Sequence, residues 1–202
     1  MKLIFIDIET TGLNFDIHVP IDIAISILDC ATQQVTNYTS LITIDAFDWL
    51  VADPEALNVN GYTQEKHIDS QDSWIVGREI ELLFLENKIV NKESVFICQN
   101  PSFDRYFFHR LISNDRMNEL NMPYHWLDLA SMYWMKYFGS CYSIPHELSL
   151  SKDSIAHAMG LPPEIKPHKA QNGVKHLMLC YTNMCAFNKF INLPDLRQMP
   201  IF

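Results

Sequence analysis

An α/β architecture on a mixed five-stranded sheet flanked by helices is expected from three patterns in this chain. Three β-rich segments separated by short turns come first. Strand-like and helix-like segments then alternate along the remainder. Apolar residues make up 48% and charged residues only 19%, which suits a packed core and argues against disorder. A meander followed by strand–helix alternation is an α/β or α+β pattern. A chain of 202 residues needs no second domain to hold it.

Residues 2–8 read as a buried strand. In "PIDIAISILDC" the residues Ile21, Ile23, Ile25 and Ile27 take one face and Asp22 and Ser26 the other, the period of a strand. "VTNYTSLITI", residues 35–44, is rich in β-branched residues and reads as the third strand. Gly12, Asn14 and Pro20 are turn signals between the first two. The acidic stretch 45–72 reads as short helices and loops. Val76, Ile80, Leu83 and Phe84 recur at helical spacing over residues 73–88. "SVFICQN" (94–100) is a strand, and Pro101 opens the helix that follows. "YHWLDL" (124–129) is a short strand running into another helix. "SLSKDSIAHAMGL" is a helix capped near Ser151 and closed by Gly160. A last helix is read from Val174 onward, and residues 192–202 as an extended tail.

Net charge is −9, so the basic footprint of a simple nucleic-acid-binding module is missing. An enzyme whose carboxylates hold metals, which in turn hold phosphate, is not excluded. Five cysteines without a CxxC pair argue against a zinc site or a disulfide framework. They point to reduced thiols and a cytoplasmic location. The N-terminal apolar run is broken by Asp7, so neither a signal peptide nor a membrane helix is read there.

"KLIFIDIETTGL" raises the chemical question. Residues 5, 7 and 9 share one face of a strand, so Asp7 and Glu9 stand side by side. Two like charges repel unless a cation sits between them. Asp104, in the first turn after the strand at 94–100, can converge on the same sheet edge. Three carboxylates there suit two Mg²⁺ or Mn²⁺ ions about 4 Å apart, the arrangement for in-line phosphoryl displacement. A solvated strand end, and an acid favouring a helix N-terminus, are the plain alternatives.

Six segments, in order, carry a resemblance. "DIETTGL" resembles the first motif of the DnaQ-like 3′–5′ exonucleases, the DEDD group on the RNase H-like fold. "DPEALNVNGYTQE" is similar to the segment between that family's first and second motifs. "FICQNPSFDRYFF" resembles the second motif, with Gln99 where many relatives have His. "WLDLASMYW" with "LSLSKDSIAHAMGL" resembles the approach to the third motif, and "PHKAQNGVKHLMLCY" the third motif of the His-containing DEDDh branch.

The resemblance covers roughly residues 2–190 and implies an exonuclease domain over 1–191, a C-terminal tail over 192–202, and kinship with the polymerase III epsilon type. It implies that Asp7 bridges two divalent cations, Glu9 binds one and Asp104 holds the second. His168 is implied as the general base, a role suited to an imidazole at neutral pH. Thr10, Thr11, Gly12, Leu13, Asn100 and Phe103 are implied to shape the slot for the terminal nucleotide, Thr11 through its backbone N–H. The implied partner is a nucleic acid with a free 3′ end, DNA or RNA; a polymerase partner or a homodimer is left open, and no membrane is involved.

One position departs from the pattern. The family places a fourth carboxylate five residues after the His, and here that residue is Gly173. Asn172 offers only a neutral carbonyl, which a hard cation prefers less than a carboxylate. Asn-Gly is a turn dipeptide, so the last helix is expected to start at Val174 and His168 to lie on a loop. The readings left open are an altered exonuclease, with Asn172, Glu164 or a substrate phosphate filling the gap; a catalytically degenerate binding or scaffold module; and a variant from which the acid was removed. His157 and His176 are read as structural, and Cys180 and Cys185 as core residues of the last helix. Lys166, Lys169 and Lys175 are a small basic cluster around His168, open to phosphate contact.

Overall fold

The computed structural model describes residues 1–139 and 146–185; the tail expected over 192–202 lies outside the described residues. Five strands form one sheet: β1 Lys2–Thr10, β2 Pro20–Asp29, β3 Val35–Leu41, β4 Ser94–Cys98 and β5 Trp126–Asp128, in the order β3-β2-β1-β4-β5. The first three pair antiparallel, while β4 runs parallel to β1 and β5 parallel to β4. The third strand ends at Leu41, and Ile42 continues only as a bridge to Gln71.

The helices are α1 Ala46–Val51, α2 Pro54–Asn60, α3 Ser73–Glu86, α4 Pro101–Phe108, α5 Asn114–Glu119, α6 Leu129–Tyr137, α7 Lys152–Ala158 and α8 Ala170–Met184, with a 3₁₀ turn at Gln64–Lys66. Local chemistry sets their starts. Asp45 forms a capping box with Asp48, Asp53 caps α2 ahead of Pro54, and Ser151 caps α7 by accepting the Ser154 N–H. Much of the acidic stretch is thus spent on caps.

The sheet is buried on both faces. Ile4, Ile6 and Ile8 join Ile23, Ile25 and Ile27 beneath α3 and α4. Leu3 and Phe5 join Ala24 and Leu28 on the opposite face, beneath α6, α7 and α8. This second cover is why β2 is buried along nearly its whole length rather than on alternate residues.

The last helix begins at Ala170, four residues before the expected Val174. Its free N-terminal donor is satisfied from across the fold: the Asp22 carboxylate accepts the Ala170 N–H at 2.9 Å. With that cap in place, Asn172 and Gly173 both donate to the Lys169 carbonyl, at 2.8 and 2.9 Å, and the turn signal is overridden. His168 lies on the preceding loop, as expected. Cys180 is core, whereas Cys185 closes the helix and is exposed. Among the described residues no helix is long and apolar enough to cross a membrane.

Candidate functional site

The pairing of β1 with β4 is recorded up to Phe5 and Ile97, so the two parallel strands part before β1 ends. A crevice at the carboxyl ends of such strands, where the strand order reverses, is the usual ligand position of open α/β sheets. Asp7 and Glu9 stand on β1 at this point, and the ladder to β2 slips just after Glu9. Such an irregularity re-aims the chain and is common beside active sites. Asp104 enters from α4, where its carboxylate accepts the Ile8 N–H at 3.2 Å.

Two more charged groups enter from the opposite side. Glu164, on the loop between α7 and α8, is 4% exposed. Lys152, at the first position of α7, places its ammonium 2.8 Å from Asp7 Oδ1 and 2.9 Å from Glu164 Oε2. It also donates to the Gly173 carbonyl at 3.3 Å. The loop that carries Glu164 is braced: its N–H donates to Asp153 at 2.8 Å, and the His176 Nε2 meets the Pro162 carbonyl at 2.9 Å. His168 is pinned through its own N–H to the Val59 carbonyl at 3.1 Å, with Nδ1 3.2 Å from Glu164 Oε1. These approaches to Glu164 are close in distance, but neither carboxylate oxygen has an aligned hydrogen bond.

The groups line one cavity of about 270 Å³, together with Ile8, Gln99, Phe103, Ser151 and Asp153. Ligand atoms of Glu9, Glu164 and His168 all lie within 4.8 Å of one another, close enough for one ion to touch all three.

Crowding of carboxylates sets the electrostatics. Burial pushes the Asp7 carboxyl up, and Lys152 pulls the other way. Burial, then the Asp7 charge, raises Glu9 to about 8. Asp104 is driven well above the carboxylate range, by burial first and Asp7 second. Burial works against the Lys152 ammonium, yet the charges of Asp7 and Glu164 outweigh it and hold the group protonated beyond an ordinary lysine. The site is therefore short of positive charge, the condition that favours cation binding.

No family model and no curated protein matches the chain. Solved structures do. Exonuclease I matches with a TM-score of 0.71 at 18% identity, over 92% of this chain and 41% of that one. Cell-death related nuclease 4 matches with 0.70 at 12% identity, over 92% of this chain and 64% of that one. The fold is the RNase H-like one of these structures. A zinc-bound form of an E. coli exonuclease I complex with single-stranded DNA also superposes on it, with 0.69 at 17% identity over 96% of this chain and 42% of that one. The chain spans about two fifths of the length of exonuclease I. At these identities the likeness is one of architecture.

On this fold, Asp7, Glu9, Asp104, His168 and Phe103 meet at one cleft. Thr10, Thr11, Gly12, Leu13 and Asn100 do not line it. The Thr11 N–H, expected to face the nucleotide, donates instead to the Val19 carbonyl at 2.9 Å. The Thr10 hydroxyl donates to the Gly12 carbonyl at 2.8 Å, and Gly12 packs so closely on the His18 ring that a Cβ there would overlap it. The segment is consumed by its own turn, leaving Leu13 72% exposed outside it. Asn100 spends its N–H on Asp128 at 3.0 Å and stands at φ +58°, which makes it the corner between β4 and α4.

Gly173 faces Asp7 directly: a Cβ at that position would lie 2.0 Å from Asp7 Oδ2. Lys152 is the site residue that the motif series does not select. One signal was available: a lysine in a helix's first turn opposes the dipole, so an outside anion is needed to account for it. The small basic cluster resolves only in part, with the Lys169 ammonium 3.1 Å above the Tyr62 ring centre.

Proposed function

We propose that this chain removes nucleotides from the 3′ end of single-stranded DNA or RNA by phosphodiester hydrolysis assisted by a divalent cation, Mg²⁺ or Mn²⁺. The observation that carries the reading is the convergence of Asp7, Glu9, Asp104, Glu164 and His168 on one cleft of a DnaQ-like fold. Glu164 fills the vacancy at Gly173, from a neighbouring loop rather than from the helix.

The donor set fits a hard cation between Glu9 and Glu164, and the two buried oxygens of Glu164 lack aligned hydrogen-bond partners. Bound there, the cation would polarise the scissile phosphate and lower the pKa of the attacking water. His168 serves as the base and not as a ligand, because Mg²⁺ takes oxygen donors. Its Nδ1 side faces Glu164, which orients the ring and leaves Nε2 to accept the proton of the water. Asp104 holds the end of β1 against α4 through the Ile8 N–H, which keeps Asp7 and Glu9 in place. Beside the cleft Phe103 packs against Phe15, Phe15 stacks on Tyr106 at 4.6 Å, and Arg110 lies over Tyr106 at 5.6 Å. Aromatic faces next to a guanidinium suit stacking of bases from a single strand. The four described cysteines are unpaired, which supports a reducing, cytoplasmic setting. Residues 1–191 are assigned to the exonuclease domain, and a polymerase subunit or a second copy remains the partner class.

The test is a 5′-labelled single strand, DNA and RNA in parallel, with Mg²⁺, Mn²⁺ or EDTA. Stepwise shortening that needs metal and a free 3′-hydroxyl is the expected result. Digestion of a 3′-phosphorylated strand or a circle would contradict the polarity. Equal binding with and without metal, and no cleavage, would make the chain a binding module instead.

A further inference from the structure

We propose that the Lys152 ammonium takes the place of one of the two metal ions, so that the cleft is built for a single divalent cation. This deepens the nuclease reading above and rests on it. Asp7 is the group that a two-metal arrangement needs as its bridge. Here Oδ1 is held by Lys152 at 2.8 Å, and Oδ2 packs against the α8 backbone at Gly173. Asp7 Oδ1, taken by the ammonium, is not free to bridge a pair of metals. The donor set therefore does not fit two ions, while Glu9 and Glu164 Oε1, which faces His168 rather than Lys152, remain for one.

The lysine and the glycine act as a pair. Only a residue without a side chain at 173 admits the Asp7 carboxylate so close to α8, since a Cβ there would lie 2.0 Å from Oδ2. The same residue's carbonyl then receives the ammonium at 3.3 Å. Lys152 supplies one positive charge beside Asp7, where a second ion would otherwise sit, while Glu164 makes up the carboxylate that Gly173 omits. Helix stability gives no reason for this lysine, since a cation at the first position of α7 opposes the helix dipole. It is oriented by contacts outside its own helix, 13% exposed, between two carboxylates.

The experiment counts ions directly. Mn²⁺ is titrated into the full chain without nucleic acid, with bound ions counted calorimetrically and free Mn²⁺ read by paramagnetic resonance. The wild type should bind one ion, and none or two would overturn the proposal. Lys152→Met should bind one ion more than the wild type, while Lys152→Arg should keep the wild-type count. An unchanged count in Lys152→Met would also overturn it. If Lys152→Met does not fold without metal, the wild-type count still decides. An inactive protein leaves every count readable, so failure of the nuclease reading and failure of this proposal are separate results.

Discussion

Asp22 and Asp7 lie on adjacent strands, on the same face of the sheet, and both are largely withdrawn from water, yet they meet opposite fates. Asp22 accepts the Tyr62 hydroxyl at 2.6 Å and the Ala170 N–H at 2.9 Å, and so ties β2 to the start of α8. Its neighbours form a closed set of hydrogen bonds. Asp7 belongs to an open set: Glu9, Asp104 and Glu164 crowd around it, with Lys152 as the one ammonium within ion-pair distance among the described residues. Burial raises both carboxyls. What differs is completion. A buried carboxylate whose donors are all supplied by the fold builds structure, whereas one left short of positive charge is prepared for something that arrives from outside.

The sharpest way to break this contrast is to remove Lys152. In metal-free buffer, Lys152→Met should cost about 3–5 kcal/mol, the range for stranding buried partners of an ion pair. Mn²⁺ should return most of that loss in a chemical melt, and far more than it adds to the wild type. Failure of Mn²⁺ to rescue would mean that the open set does not bind metal. Asp7→Asn or Glu164→Gln should lower single-turnover cleavage on the order of 10²–10³-fold, the scale for losing one electrostatic partner of a transition state. Asp22→Ala should do the reverse. It should cost about 1–3 kcal/mol through the stranded Ala170 and Tyr62 donors, and leave the Mn²⁺ count unchanged.

A smaller effect is expected from pH. Glu9 is raised to about 8 from an ordinary value of 4.5. A carboxyl raised in the fold contributes stability that is complete below its unfolded value and fades as pH climbs through the folded one. The metal-free chain should therefore lose stability between those limits. Mn²⁺ affinity should rise over the same window, by at most about tenfold per unit for one displaced proton. Affinity that is flat from pH 6 to 8.5 would remove Glu9 from the metal site.

Local signals carried most of the fold. The alternating Ile residues of β2, the helical spacing of Val76, Ile80 and Phe84, and the Pro101 start were all readable because each depends on near neighbours. Asp7, Glu9, Asp104 and His168 were readable as a series of motifs. What stayed hidden was long-range. Lys152 meets Asp7 across 145 residues, and in sequence it looks like part of a solvated helix end. Asp22 caps α8 across 148 residues, and so overrides the Asn-Gly turn signal. Glu164 was legible only as one of three candidates for the missing carboxylate, and α7 and α8 bring it into the cleft. Thr10, Thr11 and Gly12 lie outside the carboxylate cavity, held by the hydrogen bonds of their own turn.

The most direct test is an anomalous difference map from crystals of the full chain grown with Mn²⁺. A single peak between Glu9 and Glu164, with the Lys152 ammonium still on Asp7, is the predicted result. Two peaks flanking Asp7, with Lys152 swung out of the cleft, would contradict it.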